Sequence, residues 1–131
     1  MTLERMFERW KEQSAYDDED SAVEERIHEF LSEGANELAF KRLDGNLTGL
    51  ADMANDSDSP DPRIPPWTHP AIVDYALYLW FRDGNPVKQQ RAQAYLARFQ
   101  DVLNRMPTLR DEHAKAAMAD GRWTLKNLYA D

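Results

Sequence analysis

Cysteine is absent from the 131 residues, which removes disulfide frameworks, cysteine nucleophiles and thiolate metal sites together. Glycine is scarce, five in the whole chain, and neither a Gly-rich phosphate loop, a dinucleotide fingerprint nor a GxSxG motif occurs. The longest apolar stretch, Ala71 to Phe81, is eleven residues broken once by Asp74, too short for the about 20 that cross a bilayer. No basic segment followed by an apolar one opens the chain; Met1 to Trp10 alternates charged and apolar residues at helical spacing. A protein made and kept soluble is expected.

Basic charge is also in short supply, 16 Lys and Arg against 24 Asp and Glu. The deficit is uneven. Residues 1–85 carry 19 acidic and 8 basic side chains, net -11, and residues 86–131 carry 5 acidic and 8 basic, net +3. An acidic body is poorly suited to gripping nucleic acid, since affinity there rests on Lys and Arg neutralising phosphates. It remains compatible with a passage through which DNA slides. At this length one domain with one modest core is expected.

The three histidines, His28, His69 and His113, fall in separate segments without the HExxH spacing that sets two ligands on one helical face. Residues 44–55 come nearest to a ligand motif. Asp44, Asn46, Thr48, Gly49 and Asp52 occupy positions 1, 3, 5, 6 and 9 of an EF-hand loop, but Asn55 stands where a bidentate Glu is required. A turn following a helix is the expected structure. Neither a cofactor nor a metal is assigned, and no catalytic constellation is expected.

What the chain does contain is helical periodicity. Leu3, Met6, Phe7 and Trp10 share a stripe behind a capping Thr2, and an acidic run, residues 17–20, leads to a second helix. There Ser21 and Glu24 read as a capping box, with Val23, Ile27, Phe30, Leu31, Gly34, Ala35 and Leu38 tracing an apolar face to about Arg42. Gly34 is a candidate point of close helix approach. Residues 44–69 then lose all periodicity, a length that is usually functional or disordered in compact domains. Its Pro-rich second half predicts a stiff, exposed arm.

Residues 71–81 are apolar on almost every side, and such a helix belongs inside, packed by other elements. Thr68 or His69 is expected to cap it, Pro70 suits its first turn, and Gly84 with Pro86 ends it. Asn85 and Pro86 open a further helix whose seam is Ala92, Tyr95, Leu96, Phe99, Val102, Leu103 and Met106, folded back on its predecessor by the short DGNP turn. The expected core is Tyr75, Leu79, Trp80, Phe99 and Leu103 against the second helix. Pro107 stops the seam, Thr108 and Asp111 start a short Ala-rich helix, and Trp123, Leu125 and Tyr129 alternate as in an extended strand.

The segments EERIHEFLSEGANELAFKRL and IPPWTHPAIVDYALYLWFRDGNPVKQQRAQAYLARFQDVLNRM, joined by a Pro-containing loop, resemble the adaptor proteins of tailed-phage head-to-tail connectors. The likeness runs from Ser21 to about Met106 and is sharpest over HPAIVDYALYLWFRDGN. It implies a virion protein, made in the bacterial host cytoplasm and located at the capsid vertex. Such a protein forms a ring, typically dodecameric, beneath the portal protein, contacts a tail or stopper protein, and extends the channel through which DNA passes without specific binding. No enzymatic activity and no membrane are implied.

The resulting expectation is an all-α bundle with a helical domain over residues 1–106, including the loop at 44–69, and a C-terminal arm over residues 107–131. Exposed aromatics outside the periodic segments are the residue types enriched at interface hot spots. Trp67, Trp123 and Tyr129 are such aromatics, and the resemblance implies that the C-terminal segment docks on the portal, so Trp67, Arg122, Trp123, Leu125, Lys126, Leu128 and Tyr129 are the candidate partner-binding residues, toward the portal or a neighbouring copy. The alternative is a small acidic regulatory protein that inhibits a host enzyme, DNA mimicry included; it calls for a continuous acidic face without aromatic anchors.

Overall fold

The computed structural model describes residues 1–50 and 52–119. Among these residues the fold is all-α: five helices, α1 (Leu3–Ser14), α2 (Ser21–Arg42), α3 (His69–Phe81), α4 (Pro86–Arg105) and α5 (Leu109–Ala119), plus a 3-10 turn at Pro66–Thr68. There is no strand among the described residues. The alternating segment around Trp123 lies outside them.

α3 is the interior element. Eight of its thirteen residues are buried, and it packs against α1, α2 and α4, while α4 leans chiefly on α3. The order is up-down-up-down. Met1 at the start of α1 bonds to His69 at the start of α3, Lys41 at the end of α2 donates to the Leu103 carbonyl near the end of α4, and Arg91 early in α4 reaches Gln13 at the end of α1.

Gly34 on α2 marks the close approach expected of it. A Cβ there would stand 3.1 Å from the Tyr75 Cβ and 3.2 Å from the Ile72 carbonyl oxygen. Leu79 and Phe99 are buried as expected, but Tyr75, Trp80 and Leu103 are only half-buried. Trp80 turns toward α1, meeting Trp10 edge-on at 5.2 Å and Tyr16 at 5.9 Å. These offset and T-shaped contacts are the arrangement aromatic quadrupoles favour.

Helix ends follow local chemistry with two exceptions. Thr2, Asn85 and Thr108 accept from the backbone N–H groups of Arg5, Lys88 and Asp111. For α2 the cap is Asp20, which accepts from Ala22 at 2.9 Å, not the expected Ser21; a carboxylate there also complements the helix dipole. α3 has no side-chain cap. The chain enters it through the 3-10 turn, so Thr68 already has helical backbone angles and its hydroxyl donates to the Pro65 carbonyl instead.

The EF-hand-like stretch is a helix C-cap. Asp44 (φ 53) and Gly45 (φ 79) are left-handed, with the N–H of Gly45 donating to the Phe40 carbonyl and that of Asp44 to Lys41, the paired bonds of a Schellman motif.

The expected exposed arm is folded back onto the body. Met53, Pro60, Asp61 and Ile64 are buried, and the carbonyls of Asp58 and Asp56 accept from the N–H groups of Leu3 and Glu4 at 2.7 and 3.0 Å. The loop thereby satisfies donors that the first turn of any helix leaves unpaired. Its turn is set by the Asp58 carboxylate, which accepts from Ala54 and Asn55; those backbone bonds hold its pKa below the usual range.

Arg42 ties the loop to the C-terminal segment. Its side chain, 6% exposed, donates to the carbonyls of Arg63 and Pro107 and to the Glu112 carboxylate at 2.6 Å. Truncation strips donors from both carbonyls at once. Arg42→Ala is expected to lose about 2–3 kcal/mol by urea denaturation, and Arg42→Lys should recover little, because an ammonium lacks the planar fork that spans such acceptors.

Candidate functional site

Two surfaces draw attention, the ends of the bundle and a cleft between α1 and α2. At the end where α3 begins and α4 finishes, Trp67 sits on the 3-10 turn, 49% exposed, with the Arg105 guanidinium 5.8 Å from its ring. The Lys41 to Leu103 bond brings the end of α2 to the same place, with Phe40 61% exposed. At the opposite end, in the first turn of α4, Val87 is 67% exposed. Twenty residues of helix separate the two, about 30 Å.

Of the residues singled out from sequence, Trp67 is exposed as expected of an anchor. Arg122, Trp123, Leu125, Lys126, Leu128 and Tyr129 lie outside the described residues. Phe40 and Val87 carried no signal, since both sit inside helical segments where an apolar residue reads as core.

The second surface is a cleft of about 480 Å³ between α1 and α2, lined by seven carboxylates and by Lys11, Phe7, Tyr16 and His28. Glu24 and His28 stand one turn apart on α2, and Asp56 from the loop faces them; one ligand atom from each lies within 4.8 Å of the others. The Phe7 ring meets His28 edge-on at 5.3 Å. Neither Glu24 nor His28 was singled out as a ligand from the sequence, and nothing local to them points to Asp56.

The hydroxyls of Thr2, Ser14, Thr68 and Thr108 are engaged at helix ends. His69 is buried with its Nδ1 2.8 Å from the Met1 amine. Burial first, and the amine's positive charge second, lower its pKa to about 4, so the ring is neutral.

Asp74 is the one acid on α3. Burial raises its pKa from 3.8 to about 6, against the opposing pull of Arg98 on α4 and Arg9 on α1. Comparison of the chain with protein-family models, with curated proteins and with solved structures finds no match.

The Asp74 shift fixes a direction for stability. A carboxylate raised in the folded state adds stability that is fully present below pH 3.8 and is lost as pH rises through about 6. Asp74→Asn is expected to raise the thermal midpoint at pH 8, with the gain shrinking toward pH 4. A gain independent of pH would show that desolvation of the charge is not the cause.

Proposed function

We propose that the chain is a head-to-tail connector adaptor, a structural subunit that forms a ring beneath a portal protein and extends the DNA channel toward a tail or stopper protein. The observation carrying this reading is the segment IPPWTHPAIVDYALYLWFRDGNP, in which a Pro-set turn presents an exposed Trp67 and feeds an enclosed helix. The order of elements from α2 through the loop to α4 is the one that the resemblance implies.

Two physical features support the assembly. A head-to-tail ring needs two unlike surfaces on each subunit, and exposed apolar side chains stand at opposite ends of the bundle, Trp67 and Phe40 against Val87. An acidic body lets DNA pass without holding it. Such a protein acts by position, in the virion neck, and carries out no chemistry.

The second reading is a small acidic inhibitor of a host enzyme, favoured by the carboxylate-lined cleft. The two are separable. Removing residues 122–131 should leave the helical domain folded by circular dichroism while abolishing its incorporation into portal-containing particles, because that segment holds most of the candidate anchors. Normal incorporation of the shortened chain would move docking to the Trp67 end; failure of the intact chain to join such particles would favour the inhibitor. In sedimentation, the isolated chain should be monomeric at low concentration, since net charge -8 opposes association, and a stable two-fold dimer would overturn the ring.

A further inference from the structure

The α1–α2 cleft contains a donor set that the adaptor reading does not use. His28 Nε2 is shielded from solvent and has no hydrogen-bond partner. It stands 3.8 Å from Glu24 Oε1, too far for a hydrogen bond. An enclosed imidazole nitrogen facing two carboxylates without bonding to either is a costly arrangement unless something sits between them.

Three segments hold these donors in place. Glu24 and His28 are on one face of α2, the Phe7 ring of α1 packs edge-on against the imidazole, and Asp56 is fixed through its own carbonyl, which accepts from the N–H of Glu4. Ligand atoms bound tetrahedrally at ~2.0–2.2 Å stand ~3.3–3.6 Å apart. The Glu24–His28 separation is already within a few tenths of an ångström of that, and the full set, whose donor atoms lie within 4.8 Å of one another, must draw in further to bind.

We propose that Glu24, His28 and Asp56 bind a divalent transition-metal cation of the zinc type. The fourth position opens into the cleft, where water would complete the coordination. An imidazole with two carboxylates suits zinc and its neighbours, while magnesium and calcium prefer oxygen donors alone. The remaining carboxylates around the cleft raise the local concentration of cations. A bound ion joins α2 to the loop, so it stabilises the folded chain by mass action. This site is independent of the ring assembly.

Titration of the purified full chain with zinc chloride by calorimetry should show one saturable site and a rise in thermal midpoint. Magnesium and calcium at the same concentration should do neither. His28→Gln and Glu24→Gln should each weaken zinc binding at least tenfold and remove the thermal shift, while His113→Gln leaves both unchanged. Asp56→Asn tests the third ligand with the backbone cap on α1 retained, and should weaken binding similarly. No saturable zinc binding, binding unaffected by all three ligand variants, or equal binding of magnesium would overturn the proposal.

Discussion

The constraint on which the fold depends is that α3 cannot face water. Ten of eleven residues from Ala71 to Phe81 are apolar or aromatic, so no rotation of the helix about its axis presents a polar side, and other elements must cover it from several directions. α1, α2 and α4 do so, each by a different means. α2 gives up a side chain at Gly34 to come close, α1 supplies Trp10 against Trp80, and α4 lays Phe99 against Tyr75 at 4.8 Å. Burying these side chains is the main source of stability, at roughly 1.5–3 kcal/mol for each large one fully enclosed.

Enclosure alone does not fix the long loop, whose composition is polar and rich in proline. Backbone hydrogen bonding does. The first turn of α1 leaves N–H groups that its own helix cannot satisfy, and the loop carbonyls at Asp56 and Asp58 take two of them. Arg42, nearly buried, then holds the far end of the loop at Arg63 and the start of α5 at Glu112. Loop, first helix and last described helix therefore depend on one another, and damage at Arg42 reaches both the loop and α5.

The elements legible in the sequence were those whose signals are local. Helix starts at Thr2, Asn85 and Thr108 and the stop at Pro107 follow from short-range chemistry, and the enclosed character of α3 follows from its composition. The misread features have non-local causes. Two carbonyls that cap α1 leave no trace in residue type, because every residue has a carbonyl, so residues 44–69 read as an exposed arm. Asp20 and Ser21 are both good caps, and only geometry decides between neighbours. Asp56 is one of many acids in the first half of the chain; nothing local shows that it meets Glu24 and His28.

The charge asymmetry acquires a spatial meaning from the same packing. Leu3, Met6 and Trp10 point α1 at the core, which turns Glu4, Glu8 and Lys11 toward the cleft with α2. Seven of the nineteen acidic side chains of the first 85 residues line that cleft. α4 leans on α3 by a narrow seam, with only Ala92 and Phe99 fully buried, and leaves Lys88, Arg91, Arg98 and Arg105 exposed. Like charges packed on one side raise the cost of that side's folded geometry, and seven carboxylates share the cleft with one lysine. A cation held by Glu24, His28 and Asp56 offsets part of that repulsion.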